Sequence, residues 1–327
     1  MIARAGSLPF FVVRRLFAAV PLVLGVMAIA FTLIHLAPGD PIQALAGDGG
    51  DAAYYAAMRA RYGLDRPLPE QFGRYALALL RGDLGYSFSY GQPVGRVIVG
   101  RLPATLLLTG TALALSTALG ILLGMLTATR PHGALDNGVA VATLTAYAMP
   151  VFWLGQLLVL LFAVRLGLLP VQGMVSVREG YTGGRHLLDV AQHLALPALT
   201  LALPQLALTA RLTRTGLREA LAEEYIATAR AKGLAERAVL WRHALRNALL
   251  PVVTALGGHV GVLLTGAALT ETVFAWPGLG RLLLDAALKR DYPLLMAIFL
   301  LVSLVVVAAN LLTDLVYTAL DPRVRLG

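Results

Sequence analysis

Long runs of apolar residues, almost without charged side chains, restrict more than any other feature how this 327-residue chain can fold. A helix needs about 20 apolar residues to cross the hydrocarbon core of a membrane. Five runs reach that length, and a sixth, residues 194–210, is shorter and contains Pro197 and Pro204 but no charge. The five long runs are residues 16–36, 105–127, 139–164, 249–270 and 293–317. The sequence therefore predicts an all-α polytopic membrane protein with six transmembrane helices.

The composition agrees with a membrane environment. Hydrophobic residues make up 58% of the chain and charged residues 14%, whereas soluble proteins contain about 45–50% apolar and about 25% charged residues. The absence of cysteine excludes disulfides, thiolate metal sites and thiol nucleophiles. A net charge of +9 would favour nucleic acid in a soluble protein, but cations in loops between spans favour anionic lipid. We therefore expect contact with membrane lipid and no nucleic-acid partner.

The distribution of Lys and Arg predicts how the six helices are oriented. Cytoplasmic loops carry an excess of these residues, whereas long translocated segments count weakly. The segments on the side of the termini hold 14 Lys and Arg, and the two short loops on the other side hold six. The segments on the side of the termini are residues 1–15, 129–138, 211–247 and 321–327. The two short loops on the other side are residues 165–193 and 271–292. We therefore expect both termini in the cytoplasm.

Residues 37–104 are too polar for the membrane and predict an external segment packed on the bundle. Asp51 can cap a first helix that ends at Gly63, and Pro69 suits the first turn of a second helix that Gly82 ends. The predicted division of the chain is residues 1–36, a cytoplasmic tail and first helix; 37–104, the extracytoplasmic segment; 105–320, a five-helix core containing the cytoplasmic loop 211–247; and 321–327, a cytoplasmic tail.

The predicted inner loop, residues 211–247, has eight Lys and Arg against four acids. Its pattern predicts a helix over residues 220–232, a stop at Gly233 and a second helix over residues 234–245. Like charges at helical spacing repel each other by about 0.2–0.5 kcal/mol, so they need a partner from outside the loop. The clustered residues are Arg211, Arg214 and Arg218, and Arg242 with Arg246. Lipid head groups and an acidic groove on a docked protein both remain open, and composition alone favours lipid.

Two segments of this loop resemble a known motif. The chain reads EYIATARAKG over residues 224–233 and HALRN over residues 243–247. These segments resemble the cytoplasmic EAA loop of ABC importer permeases, in the form found in the first permease of the dipeptide/oligopeptide/nickel family. Further segments resemble this family in the same order and spacing along nearly the whole chain. They are HLAPGDP (35–41), YGLDRPL (62–68), GDLGYS (82–87), RLPAT (101–105), PVFWLG (150–155), LLPVQG (168–173), TETVF (270–274), WPGLG (276–280) and DPRV (321–324).

The inner loop departs from the general family pattern at two points. That pattern places Glu-Ala-Ala six, five and four residues before a glycine, and the corresponding residues here are Ala227, Thr228 and Ala229, so only the last matches. A later Leu-Pro falls on Leu245 and Arg246, so the proline is absent. The helix–glycine–helix arrangement is retained.

The resemblance implies the type I ABC importer permease fold, with an external segment after the first helix, in the bacterial inner (plasma) membrane. It implies import of peptides by alternating access. The implied partners are a second homologous permease subunit, two cytoplasmic ABC ATPase subunits and an extracytoplasmic substrate-binding protein. The chain contains no G-x-x-x-x-G-K-[ST] phosphate loop, so we expect it to be no enzyme, with ATP-Mg on partner subunits and no cofactor or metal of its own. Dipeptide, oligopeptide, glutathione-like peptide and nickel chelate remain open as cargo.

The resemblance also gives the inner loop an ATPase-coupling role. In this family the loop is seated in a groove of the ATPase, and closure of the ATPases draws the loops of the two permeases together. Gly233 would allow the sharp turn and a close approach to the partner. The coupling residues implied in this way are Glu224, Tyr225, Ala227, Thr228, Ala229, Lys232, Gly233, Leu234, His243, Leu245, Arg246 and Asn247.

Four polar residues in or next to the spans are candidates for the substrate pathway or a gate. His259 lies mid-span among glycines and is predicted either to bond across a helix interface or to line the pathway. Glu271, at the outer end of the fifth span, is a candidate gate or docking contact, or a plain helix-end charge. Asn310 and Asp314 lie one turn apart near the inner end of the last span and are predicted to bind an arginine of the inner loop.

The sequence leaves two other function classes to consider. An ion-gradient-driven secondary transporter or channel would use His259 and Asp314, but no inverted repeat is seen and the inner loop is large and basic. An intramembrane enzyme would need an assembled catalytic motif, and neither G-x-S-x-G nor H-E-x-x-H occurs in the sequence.

Overall fold

The computed structural model describes residues 8–36, 42 and 51–320, which are mostly helical. In chain order the elements are α1 (Leu8–Leu36), α2 (Ala52–Tyr62), α3 (Leu68–Leu80), β1 (Tyr86–Ser87), β2 (Gln92–Pro93), α4 (Val94–Thr129), α5 (Ala134–Ala148), α6 (Val151–Leu158), a π-helix (Val159–Arg165), α7 (Gly183–Leu221), α8 (Glu224–Ala231), α9 (Glu236–Ala238), a second π-helix (Val239–Ala244), α10 (Leu245–Ala248), α11 (Leu250–Val273), α12 (Leu279–Leu288) and α13 (Tyr292–Leu320). The predicted all-α class is confirmed.

Four of these helices, α1, α4, α7 and α13, are long and apolar enough to cross a membrane. α5 and α6, together with the π-helix after α6, meet the same criterion only as a bent pair. The predicted fifth run coincides with α11, where several side chains lie outside the described residues. The multi-pass architecture is therefore confirmed, while the number of six spans stays a prediction.

The run at residues 139–164 is not one continuous helix, because the chain turns at Pro150. Steric clash with a proline ring disfavours the helical region for the preceding residue. Met149 accordingly has ψ 136° and Pro150 has ψ 132°, both extended. These two residues separate α5 from α6 and produce a bend of 112°.

The external segment contains both predicted helices. The carboxylate of Asp51 accepts a hydrogen bond from the amide of Tyr54 at 2.7 Å and so caps α2. Gly63, with φ 66°, ends α2, and Gly82, with φ 78°, follows the end of α3. The predicted cap and both predicted stops are confirmed. The antiparallel hairpin β1–β2 comes next and leads directly into α4.

The hairpin is fastened to the turn between α12 and α13. The buried carboxylate of Asp291 accepts hydrogen bonds from the hydroxyl of Ser87 and, at 2.9 Å, from the amide of Ser89. An apolar cluster from α1, α4, α12 and α13 lies beneath, with side chains of α3 packed against it. The segment therefore packs on the helical bundle, and its position outside the membrane stays a prediction.

The long contact between α4 and α7 forms the centre of the bundle. A Cβ built on Gly120 would lie 2.7 Å from the Cβ of Thr209, and one built on Gly124 would lie 2.6 Å from the carbonyl oxygen of Ala210. Atoms cannot approach so closely, so only glycine permits this helix packing. α7 is thereby fixed against α4 towards its inner end.

Candidate functional site

The C-terminal ends of α4 and α7 share an apolar cluster with α8. Two residues separate the end of α7 from the start of α8. Ile226 and Ala229, three residues apart on one face of α8, are buried. The apolar cluster around them comprises Met125, Ala128, Leu217, Ala220, Val239, Ala244, Leu245 and Ala248. One face of α8 is therefore buried in a cluster that includes residues of both long helices, and its other face is exposed.

Both helices predicted in this loop begin later than the sequence pattern indicates. α7 continues to Leu221, so the helix predicted from residue 220 begins at Glu224 instead. After Gly233, helical structure begins at Glu236 rather than at residue 234. For the first helix the physical reason is packing, since the last turns of α7 bury apolar side chains in the cluster that also contains Ile226 of α8.

Most residues assigned to coupling lie on one solvent-exposed surface. We define this candidate coupling surface by its exposed members, which are Glu224, Tyr225, Ala227, Thr228, Lys232, Gly233, Leu234, Arg246 and Asn247. Ala229 and Leu245 are buried in the cluster beneath, and His243 is half-buried. These last three residues support the surface rather than form it.

The turn at Gly233 is held by its backbone conformation and by an ion pair across it. Gly233 has φ 76° and donates its N–H to the carbonyl of Arg230 at 2.9 Å. The guanidinium of Arg230 lies 2.6 Å from the carboxylate of Glu236, and this hydrogen bond holds the pKa of Glu236 below its usual range. No described atom lies within 4 Å of a Cβ built on Gly233. Within the chain, the left-handed backbone rather than lack of space therefore requires glycine.

A hydrogen bond joins the two segments that carry the family motif. The Nδ2 of Asn247 donates to the hydroxyl of Tyr225 at 2.9 Å. Tyr225 lies in the first turn of α8, and Asn247 lies in α10, just before α11. The fold thus brings residues 224–233 and 243–247 together on one side of the bundle.

One of the clustered arginines has a partner inside the chain. The Nε and Nη2 atoms of Arg214 each donate to the carboxylate of Asp136 at 2.7 Å. Asp136 is 3% exposed and also accepts the N–H of His132 at 3.0 Å. The prediction that the cluster needs an outside partner is therefore wrong for Arg214, which bridges α7 and α5.

Glu271 is fully buried at the outer end of α11. Its carboxylate accepts hydrogen bonds from the Thr105 hydroxyl at 2.7 Å and from the Arg281 amide at 2.9 Å. The Thr105 oxygen in turn accepts the amide of Leu279 at 2.7 Å. These bonds cap the N-terminus of α12 and enclose the carboxylate of Glu271. A gate or docking role at this position stays a prediction.

The other pathway candidates lie on α11 and α13. The carboxylate of Asp314 lies 2.6 Å from the guanidinium of Arg15 on α1, so the predicted partner from the inner loop is wrong. Asn310 is exposed on α13. The side chain of His259 lies outside the described residues. α11 does approach α13 closely nearby, since a Cβ built on Gly257 would lie 2.0 Å from the nearest α13 atom. Pathway roles for these residues stay predictions.

Sequence reasoning missed three buried carboxylates that fasten the bundle. Asp136, Asp189 and Asp291 are each at most 5% exposed. Asp189 accepts the amide and the hydroxyl of Ser176, both at 2.7 Å, which holds the external loop against α7. Asp136 could have been singled out from the sequence, because it is the only acid in the short segment 129–138. That segment is predicted to lie on the same side of the membrane as the arginine-rich loop 211–247.

Comparison with known proteins identifies the family of this chain. A family model described as "Binding-protein-dependent transport system inner membrane component" matches residues 120–326, and the corresponding N-terminal model matches residues 8–109. The chain is 41% identical to the dipeptide transport system permease protein DppB of Escherichia coli strain K12, over 96% of this chain and 98% of that relative. Identity is 36% to the oligopeptide permease protein AppB of Bacillus subtilis and 40% to the glutathione permease protein GsiC of Pectobacterium atrosepticum. Both alignments cover 96% of this chain, with 99% and 98% of the relative. The chain therefore belongs to the family of binding-protein-dependent permeases.

The fold is similar to that of a solved amino acid ABC transporter. The match has a TM-score of 0.51 at 15% identity and covers 69% of this chain and 94% of the other. The predicted ABC permease fold is thereby confirmed. The chain is a multi-pass inner-membrane permease subunit of an ABC importer. ATP is hydrolysed by partner subunits. Importers of this family work with ATPase and binding-protein partners.

Proposed function

We propose that this subunit imports peptides together with a second homologous permease, two cytoplasmic ATPase subunits that bind ATP-Mg, and an extracytoplasmic binding protein. Both termini lie in the cytoplasm in this proposal. The observation that supports the peptide cargo is that relatives at 36–41% identity are named for dipeptide, oligopeptide and glutathione transport. All three names denote peptides, whereas a nickel-chelate cargo has no comparable support among these three relatives.

The candidate coupling surface receives the ATPase in this proposal, and α8 passes its movement to the bundle. α8 is joined to α7 by two residues, and its Ile226 is buried in one apolar cluster with residues of α4 and α7. α7 has 39 residues and so extends over about 58 Å, more than the roughly 30 Å of a hydrocarbon core. A displacement of α8 therefore moves α4 and α7 as one rigid unit.

The bent pair α5–α6 is linked to the same unit. Arg214 on α7 and Asp136 on α5 form two parallel hydrogen bonds, a geometry that resists both sliding and rotation. A movement that starts at the coupling surface is thus transmitted to the bend at Pro150. Rocking of this unit against its counterpart in the second permease would expose the substrate pathway alternately to the two sides.

The composition of the complex tests the importer assembly. The chain would be purified from its native membrane in mild detergent, and the intact complex weighed by mass spectrometry. We expect a mass that contains one sister permease and two ATPase subunits. A homo-oligomer without ATPase, active in proteoliposomes under an ion gradient alone, would instead establish a secondary transporter.

A matched pair of glycine variants tests the coupling surface. Gly233 and Gly82 have nearly equal φ angles of 76° and 78°, and neither has a described atom near a built Cβ. Asparagine tolerates this conformation better than other side chains, so Gly233→Asn and Gly82→Asn bear similar backbone strain. We expect Gly233→Asn to abolish peptide uptake and substrate-stimulated ATP hydrolysis at normal expression, while Gly82→Asn retains both. Equal uptake by the two variants would remove the coupling assignment.

A competition assay tests the cargo. Uptake of a labelled dipeptide into vesicles containing the whole importer would be measured with unlabelled dipeptide, longer peptide, glutathione or nickel chelate. We expect at least one peptide to compete, with the nickel chelate inactive. Competition by the chelate alone would overturn the peptide assignment and leave the importer class intact.

A further inference from the structure

A cavity lies between α5 and α7, next to one end of α4, and its lining includes none of the candidate coupling or pathway residues. Its volume is about 350 Å³. One end is polar and is lined by Arg211, His132 and the Asp136–Arg214 pair. The other end is lined mainly by apolar side chains of α5 and α7, including Leu144, together with Thr143 and Tyr147. The cavity is therefore amphipathic along its length.

The charge at the polar end is not balanced within the described chain. The cation of Arg214 is neutralised by Asp136 through two hydrogen bonds. Arg211 is exposed, lines the cavity and forms no hydrogen bond or ion pair with the residues that the structure describes. The polar end thus carries one uncompensated cation, which favours an anionic ligand.

The position of the cavity matches the inner half of a membrane. Arg211 directly follows the charge-free run 194–210, so it lies where the hydrocarbon core gives way to head groups. From Asp136 to Tyr147 the residues of α5 that line the cavity extend over about 16 Å, close to half of the roughly 30 Å hydrocarbon thickness. A ligand that fits has an anionic head at Arg211 and an apolar chain running towards the membrane centre.

We propose that this cavity is a binding site for one anionic phospholipid of the cytoplasmic leaflet. The phosphate lies against the guanidinium of Arg211, and an acyl chain occupies the apolar end beside Leu144. Because the cavity lies between α5 and α7, the lipid braces the two helices that the Asp136–Arg214 pair connects. This proposal does not depend on which peptide is transported. Lipid retention can therefore be measured without substrate.

Lipid retention by the intact complex tests the site. Complexes would be reconstituted in phosphatidylcholine, or in equal parts of phosphatidylcholine and phosphatidylglycerol, and retained lipid counted by native mass spectrometry. We expect selective retention of phosphatidylglycerol. Arg211→Gln should lower this retention about fivefold, and Arg211→Lys should largely restore it. Arg218→Gln is the matched control, because Arg218 is exposed on the same helix but does not line the cavity.

A variant that fills the apolar end distinguishes binding of the acyl chain in the cavity from electrostatic attraction of the head group to Arg211. Ala140→Trp places an indole in the cavity wall and leaves Arg211 unchanged. We expect it to lower phosphatidylglycerol retention as much as Arg211→Gln does. Equal retention by the Arg211→Gln and Arg218→Gln complexes, or equal retention of both lipids by the unaltered complex, would overturn the proposal. Crosslinking of a photoreactive peptide, rather than lipid, to this wall would also overturn it.

Discussion

At the scale of single residues, several buried polar side chains of this protein link separate helices through hydrogen bonds. Glu271 accepts hydrogen bonds from Thr105 and Arg281 and thereby holds the start of α12 against α4 and α11. A buried carboxylate without such donors would be unfavourable, because it loses its hydration without compensation. The bonds therefore explain why an acid is tolerated in a fully buried position at the outer end of the bundle.

Replacement of Glu271 tests this role. Glu271→Ala leaves the buried hydroxyl of Thr105 and the amide of Arg281 without their acceptor, and each such loss costs about 1–3 kcal/mol. We expect a lower free energy of unfolding in detergent for Glu271→Ala, and a smaller decrease for Glu271→Gln, which keeps one acceptor oxygen. Thr272→Ala is the control, because its exposed hydroxyl bonds only to its own helix at Ala268. Equal stability of the Glu271→Ala and Thr272→Ala variants would contradict the fastening role.

At the scale of helices, α7 is the element that organises the bundle. It packs on α4 through Gly120 and Gly124, holds α5 through Arg214 and leads into α8 after two residues. Movement of one of these neighbours relative to α7 therefore requires a specific contact to break. The ion pair to α5 is the contact that a double substitution can isolate.

A double-mutant cycle tests the link between α5 and α7. Asp136→Asn and Arg214→Gln each remove one charge and should each lower the thermal stability of the complex, since each leaves the other partner without its counter-charge. The double variant should lose no more than the more damaging single variant. Thermal unfolding followed by light scattering measures all three. Strictly additive losses would show that the two residues act independently.

The hydrogen bonds from the β1–β2 hairpin to Asp291 are a second link between elements, on the side that is predicted to be external. Asp291→Ala removes the acceptor for the Ser87 hydroxyl and the Ser89 amide. We expect faster cleavage of the hairpin by an external protease in right-side-out vesicles, with the helical bundle intact. Asp65→Ala, an exposed acid of the same external segment, should not change the cleavage rate. Equal cleavage of both variants would mean that the apolar cluster alone holds the hairpin.

At the scale of the whole molecule, the absence of cysteine allows orientation to be measured directly. Any cysteine introduced by substitution is the only reactive thiol of the chain. Val177 is 88% exposed in the loop before α7, and Leu234 is 41% exposed on the candidate coupling surface. The two positions lie on opposite sides of the membrane if the positive-inside distribution of charge sets the orientation.

Single-cysteine labelling tests the orientation. With a membrane-impermeant maleimide added to right-side-out vesicles, we expect Val177→Cys to react at once and Leu234→Cys only after permeabilisation. Cysteines at positions 3 and 326 should behave like Leu234→Cys, since both termini are predicted to be cytoplasmic. External labelling at one terminus alone would mean an odd number of spans.

Much of the architecture could be predicted because it follows from local chemistry. Asp51 accepts a backbone N–H three residues away, and Gly63 and Gly233 adopt left-handed conformations that few other residues tolerate. Apolar runs of membrane-spanning length give most of the long helices in the same way. The bend at Pro150 is also a local effect, although its angle of 112° depends on the packing of α6.

By itself, the sequence determined the helical class, the cap of α2 and the stops of α2 and α3, the basic loop between the long apolar runs, and the motif that relates the chain to binding-protein-dependent permeases. Only the tertiary structure decided that Arg214 is paired with Asp136, that Asp314 is paired with Arg15, and that Glu271 is enclosed. The physical reason is distance along the chain. Asp136 and Arg214 are 78 residues apart and Thr105 and Glu271 are 166 apart, so these pairs exist only once the helices have packed.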